Sequence, residues 1–264
     1  GRGITFGWYG DKGTGKCLAE GTPVMKFDGS IVPVADIQMG DLLMGPDSRP
    51  REVLSTTIGW GPLYEITPVK GASWVCNDAH VLSFEWSASR NPRTFDVPLN
   101  EWLTWTPWRR QFSMLYQPRE GVDFEGASPL PVDPYFLGVG LGDGTHSLKG
   151  VAVSKPDAEI EASLQAECEK WGLRLDTSRN KPCPTHRLWA KHGQKNPLLN
   201  ALRALPDLPN RVPLAYRTAS REDRAALLAG LVDTDGHVFR GGADIVQKRA
   251  GLAIDIAFIA RSLG

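Results

Sequence analysis

At 264 residues, with 41% hydrophobic and 23% charged residues, the chain is long enough for one or two domains with real cores. Thirty basic residues balance thirty acidic ones, which excludes a uniformly basic nucleic-acid binder but leaves local patches open. No apolar run approaches the roughly 18 residues of a membrane span and no signal peptide opens the chain, so no membrane partner is expected. Cys17, Cys76, Cys168 and Cys183 have no Cys-x-x-Cys spacing, so neither a zinc ribbon nor a disulfide framework is indicated. A reducing cytoplasm is the expected compartment.

In chain order, Ile4 to Tyr9 reads as a strand feeding Gly10-Asp-Lys-Gly-Thr-Gly15-Lys16, the G-x-x-x-x-G-K pattern of a phosphate-binding loop. Gly10, Gly15 and Lys16 are its nucleotide-contacting positions. A helix must follow so that its amino end faces the phosphates. Cys17 stands instead where a Ser or Thr would hold magnesium, and Cys17-Leu-Ala-Glu-Gly21-Thr-Pro-Val24 reads as a turn followed by a strand. The nucleotide site is interrupted, and something else begins at Cys17. This eight-residue run resembles the amino-terminal motif of inteins, self-excising segments that typically open with Cys or Ser. The resemblance covers about Cys17 to Gly264, and it makes residues 1–16 the tail of a host protein, a P-loop ATPase.

Met25 to Ser30 predicts a hairpin turning at Asp28-Gly29, and Ile31–Val34 and Ile37–Leu43 alternate as short half-buried strands. The β pattern continues to about 118, punctuated at Gly45-Pro46-Asp47, Gly59 to Pro62 and Lys70-Gly71. The aromatic run Trp102 to Trp108 is expected to pack that β domain. Within it, Gly71-Ala-Ser-Trp-Val-Cys76-Asn77-Asp-Ala-His80-Val resembles the intein block whose Thr-x-x-His pair holds the scissile peptide bond, with Asn77 in the Thr position. The chemistry suits these residue types. Attack of the Cys17 thiol on the Lys16 carbonyl turns an amide into a thioester, and the departing nitrogen needs a proton that His80 is suited to give. Cys76 is expected to be core.

Gly121 to Pro134, rich in Gly, Pro and acids, reads as a link, and mixed helix and strand follow from Tyr135. Val151–Val153, Leu173–Leu175 and Arg187–Trp189 read as strands. Asp157 to Trp171 has helical apolar spacing with Gly172 as its stop. Leu228-Ala-Gly-Leu-Val-Asp-Thr-Asp235-Gly236 resembles the LAGLIDADG motif of homing endonucleases. Leu137-Gly-Val-Gly-Leu-Gly-Asp143-Gly144 is an earlier copy in which Asp143 corresponds to Asp235. Pro134 suits a first helical turn and Ser220 with Asp223 a capping box, so each motif ends a helix. Small residues at Gly138, Gly142, Ala229 and Gly230 let two helices approach closely, bringing Asp143 and Asp235 together as ligands suited to Mg²⁺.

Between Trp171 and Arg224, eleven Lys/Arg face four acids, a local excess suited to double-stranded DNA. Thr185 to Lys191 is a basic strand fit for a major groove. By resemblance, Lys248 is the basic residue near the cleavage centre. Asn210-Arg-Val-Pro213 resembles a further intein block but lacks its Lys, and no catalysis is assigned to it.

The expected architecture is therefore a β-rich Hint-type splicing domain (17–120), a linker (121–134) and an α+β LAGLIDADG endonuclease domain (135–264). The latter is expected to be a monomer with internal pseudo-two-fold symmetry and incomplete at its carboxyl end. No closing His-Asn occurs by Gly264, so the expectation is a fragment that neither splices nor cuts alone, while its parent does both. Two other classes fit parts of the sequence: a free-standing endonuclease fused to a β-rich DNA-binding module, and a P-loop ATPase with a permanent insertion.

Overall fold

A computed structural model describes residues 18–68, 73–86, 94–115, 121–125, 129–146, 151–180 and 183–264. Gly10, Gly15, Lys16 and Cys17 lie outside the described residues, as do the strand read at Ile4–Tyr9 and the turn at Lys70-Gly71. The chain divides into two compact units between Val122 and Asp123.

The first unit is made of short antiparallel pairs. β1 (Pro23–Met25) and β2 (Ile31–Pro33) form a hairpin with Val24 opposite Val32. Gly29 takes the left-handed turn position at φ 81, and the Asp28 carboxylate accepts from the backbone N–H and hydroxyl of Ser30. β3 (Leu42–Met44) and β4 (Pro50–Glu52) flank the Gly45-Pro46-Asp47 turn. β5 (Leu63–Ile66) pairs with β6 (Trp74–Asn77), while β7 (Val81–Trp86) lies between β8 (Thr94–Pro98) and β9 (Ser113–Leu115).

The aromatic run departs from the β pattern expected of it. It forms two short helices, α1 (Leu99–Thr104) and α2 (Pro107–Phe112), the second starting at Thr106, whose hydroxyl accepts from Arg109 N–H. In α2, proline at the first helical position and the capping Thr106 outweigh the β preference of Trp108. Trp102 stacks on Phe84 at 6.0 Å and Trp105 on Phe95 at 6.2 Å, closing a small core with Leu82, Val97 and Cys76.

The second unit combines helices with antiparallel strands. α3 (Pro134–Gly142) leads into β10 (Gly144–His146) and β11 (Val151–Ser154). α4 (Ala158–Trp171) is capped by Asp157 and stopped by Gly172 at φ 64, the left-handed conformation glycine tolerates. β12 (Arg174–Ser178) and β13 (Thr185–Trp189) complete a four-stranded sheet in the order β10-β11-β13-β12. α5 (Pro197–Ala204), α6 (Leu214–Arg217) and α7 (Arg221–Asp235) follow, then the hairpin of β14 (Gly236–Phe239) and β15 (Gly242–Ile245), and α8 (Ala250–Leu263).

Residues Phe136 to Leu141 are all buried, so α3 is apolar on every side and forms the centre of this unit. It packs along α7 with the glycines at the crossing. A Cβ on Gly138 would overlap the Leu227 carbonyl, and one on Gly230 would overlap the Tyr135 carbonyl and sit 2.8 Å from Val139 N. The sequence 121–134, read as a link, belongs from Asp123 onward to this core. Phe124 stacks on Phe258 at 6.0 Å, and Val132 is fully buried with its N–H and C=O both bonded to the Tyr216 hydroxyl.

The order helix, Asp, Gly, hairpin, helix occurs twice at a constant separation of 92 positions. Asp143 matches Asp235, Gly144 matches Gly236, and the 14 residues of α4 match the 14 of α8. Gly144 and Gly236 turn the chain from helix to strand without a positive φ. Their missing side chains instead let the hairpin press on the last helical turn, where a Cβ would meet Gly140 Cα at 2.6 Å or Val232 Cα at 2.8 Å.

Candidate functional site

In the first unit the segment that follows Cys17 lies beside β6. Leu18 forms an antiparallel bridge with Cys76, and Ala19 N–H donates to the Val75 carbonyl at 2.9 Å. β6 ends at Asn77, whose carbonyl accepts from His80 N–H at 3.3 Å, so Asn77 and His80 bracket one tight turn. The start of α1 fixes that turn from the other side: Leu99 N–H donates to the His80 carbonyl at 2.9 Å and Asn100 N–H to the Asp78 carbonyl at 2.7 Å. The half-buried imidazole meets Trp74 edge-on, with ring centroids 5.3 Å apart. Cys76 is fully buried, and burial pushes its thiol up to about 11, so it is an inert core residue.

In the second unit the ends of α3 and α7 meet. Asp143 caps α3 and Asp235 ends α7. A Cβ placed on Gly142 would lie 2.7 Å from Thr234 Cβ and 3.6 Å from Asp235 Cγ, so the two acidic helix ends are adjacent. The Asp235 carboxyl is held above its ordinary range, first by desolvation and then by the like charge of Asp143, with Arg249 and Lys155 opposing.

Lys155 Nζ stands 3.0 Å from Asp143 Oδ2 and also donates to the Thr234 carbonyl, so one ammonium bridges both helix ends. Its counterpart 92 positions on is Gln247, whose Nε2 reaches Asp235 Oδ2 at 3.4 Å. Arg249 orients that amide, donating from its Nε to Gln247 Oε1 at 3.2 Å, and is itself tied to the carbonyls of Pro209 and Leu141. The lysine at the pair is thus Lys155 and not Lys248, which is exposed between Gln247 and Arg249. Sequence reading missed Lys155, Gln247 and Arg249. The signal for the first two was their common distance of 12 residues from each Asp. No cluster of three or more metal-ligating side chains occurs among the described residues.

The basic stretch is only partly available to a ligand. Arg224 is fully buried, donating to Ala219 and Ser262, and Arg221 pairs with Asp123. Arg211 forks onto the buried Asp255 through two hydrogen bonds of 2.7 and 2.6 Å, with Arg217 at 3.3 Å. The Asn210–Pro213 segment therefore serves packing, since Val212 N–H also donates to Asp255. On β13, His186 and Leu188 are buried while Thr185, Arg187 and Trp189 alternate with them on the opposite face.

The family model described as "Hom_end-associated Hint" matches residues 17–93, beginning at Cys17. The chain is 29% identical over 277 aligned positions to the replicative DNA helicase DnaB of Mycobacterium intracellulare, a match covering 96% of this chain and 43% of the helicase. It is also 31% identical over 72 residues to the catalytic subunit of the V-type proton ATPase of Candida tropicalis, covering 27% of this chain and 7% of that protein. The chain thus spans less than half the length of these relatives. The family match supports an intein-type Hint domain over 17–93, β-rich as the first unit is. Among the described residues no helix is long and apolar enough to cross a membrane.

Proposed function

We propose that the chain is an intein that excises itself from a replicative helicase host and carries a LAGLIDADG homing endonuclease as its second unit. The observation that supports splicing best is that the Hint match starts at Cys17, whose following residues pair with β6 beside the Asn77–His80 turn. The similarity to a helicase over nearly the whole chain supports the host, as does the interrupted phosphate-binding loop of residues 10–16.

In this reading the Cys17 sulfur attacks the Lys16 carbonyl carbon, the carbon–nitrogen bond breaks, and the thiol proton is balanced by protonation of the Cys17 nitrogen. His80 delivers that proton, and Asn77 holds the peptide carbonyl. Excision would rejoin Gly10, Gly15 and Lys16 to a helix and restore nucleotide binding in the host.

The second unit would cut double-stranded DNA. Its carboxylate pair fits Mg²⁺: the Asp235 charge is disfavoured first by desolvation and then by the nearby Asp143 charge, a dication would offset both, and magnesium commonly takes one or two protein carboxylates. When bound, the ion would activate water and stabilise charge on the scissile phosphate. Asp143 and Asp235 would hold it, while Lys155 supplies a positive charge at the pair and Gln247 orients Asp235. The face of Thr185, Arg187 and Trp189 is suited to groove contacts, with Arg187 opposite Asp176 and Ala152 in the sheet.

The test is expression of the full parental reading frame. A spliced host of reduced size in wild type, and an unspliced precursor in Cys17→Ala, is the expected result; equal sizes would remove the splicing reading. Magnesium-dependent cleavage of DNA carrying the uninterrupted host gene, lost in Asp143→Asn and Asp235→Asn, tests the second activity.

A further inference from the structure

His186 is a buried titratable side chain that the proposed chemistry does not use. It lies on β13 between Val153 of β11 and Thr177 of β12, is 1% exposed, shares the buried face of that strand with Leu188, and has Glu161 Oε1 3.9 Å from its Nδ1. Both ring nitrogens are engaged. Nε2 is 2.9 Å from the Lys155 carbonyl and Nδ1 is 3.0 Å from the Thr177 hydroxyl. A carbonyl can only accept, so Nε2 carries a proton and donates it. The Thr177 hydroxyl that meets Nδ1 also donates to Glu161 Oε1. The Glu161 carboxylate, 3.2 Å from that hydroxyl, is held by Arg179, whose Nη2 reaches both its oxygens at 3.1 Å.

The partner's position in the chain gives this bond its meaning. The paired segment of β11 and β13 ends with Ser154 opposite Thr185, so Lys155 is the first residue to leave the ladder. Its carbonyl is supplied with a donor by a side chain reaching from the next strand. The same residue sends its ammonium to Asp143 and to the Thr234 carbonyl. An ammonium on a four-carbon stem is a flexible charge, and it is confined only if its backbone is. Pro156 alone separates Lys155 from the Asp157 cap of α4, and no other described hydrogen bond ties its backbone carbonyl.

We infer that His186 is the positioning residue for Lys155, pinning the lysine's backbone through its carbonyl so that the ammonium bridges the two acidic helix ends. The Thr177 hydroxyl, itself anchored on Glu161, orients the imidazole from its other side. His186 touches neither DNA nor metal in this arrangement. The consequence for cleavage rests on the endonuclease reading; the pinning of the lysine does not.

Amine-selective labelling of the whole chain, read lysine by lysine by mass spectrometry, tests this directly. In wild type Lys155 should label severalfold more slowly than the exposed Lys248. His186→Leu should raise the Lys155 rate toward that of Lys248 while leaving Lys248 unchanged. His186→Gln, which can return an N–H to the same carbonyl, should restore protection. Thr177→Val, which keeps the imidazole but removes its orienting hydroxyl, should give an intermediate rate and decides the matter if His186→Leu does not fold. An unchanged Lys155 rate in a folded His186→Leu or in Thr177→Val would overturn the proposal, as would failure of His186→Gln to differ from His186→Leu. Cleavage assays on the same variants within the parental protein should show kcat falling with KM for DNA retained. A wild type that protects Lys155 yet cuts no DNA would defeat the endonuclease reading and leave the pinning intact.

Discussion

The cysteines separate cleanly by environment. Cys76 and Cys168 are fully buried and their thiols are pushed up to about 11, so almost no thiolate forms near neutrality, whereas Cys183 is exposed. Iodoacetamide at pH 8 should therefore modify Cys183 in the folded protein and spare Cys76 and Cys168 until denaturant is added, as peptide mapping would reveal. Early labelling of Cys76 would contradict the core packing described for β6. For His80, replacement by Ala should leave the folded first unit in place, because its backbone N–H and carbonyl, which the substitution keeps, hold the turn to α1. It should slow thioester formation at Cys17 by about 10²–10⁴-fold, the usual worth of a positioned general acid, measured by hydroxylamine-induced release of the upstream segment.

Helices α3 and α7 approach as closely as they do because their crossing positions lack side chains. Gly230→Val places branched carbons against the Tyr135 carbonyl and the backbone at Val139, neither of which can rotate away. Overpacking of this kind costs about 1–3 kcal/mol or more, so urea denaturation of the second unit should show a lower midpoint. The caps carry a smaller share. Ser220 accepts from Asp223 N–H at 3.1 Å and donates to its carboxylate at 2.7 Å, and Ser220→Ala should cost about 1 kcal/mol in the same experiment. A midpoint unmoved by Gly230→Val would mean that the helices do not cross there.

At the scale of the whole molecule, two carboxylates 92 positions apart are brought together, and this has a pH signature. The Asp235 carboxyl is raised in the folded state, so its contribution to stability is fully present below its unfolded value and is lost as pH rises through the folded one. At neutral pH the charge is a net cost. Asp235→Asn should accordingly melt at a higher temperature than wild type at pH 7, with the advantage shrinking as the pH falls through the carboxylate range. Added Mg²⁺ should raise the melting temperature of wild type and not of Asp235→Asn, since only a ligand bound to the folded state stabilises it. Calorimetry in metal-free buffer and with magnesium reads both; a lower melting temperature for Asp235→Asn at pH 7 would refute a net cost of the desolvated Asp235 charge beside Asp143.

What was legible in the sequence was local. The hairpin at Asp28-Gly29, the helix from Asp157 to Gly172 and the helix starts at Pro134 and Ser220 each follow from a few consecutive residues whose preferences agree. The two helix-ending aspartates were likewise visible, because a repeated motif carries its own register. At Trp108 propensity misled, since the Thr106 cap and the helix-starting Pro107 outweighed aromatic β preference. The charge census misled as well: Arg211, Arg217, Arg221 and Arg224 count as basic in sequence yet are spent on Asp255, Asp123 and buried carbonyls. Only the tertiary structure selected Lys155 over Lys248 and placed His186 behind it. Those choices depend on which strand lies beside which, and hydrogen bonds spanning 31 or 79 positions leave no periodic trace in a chain read one residue after another.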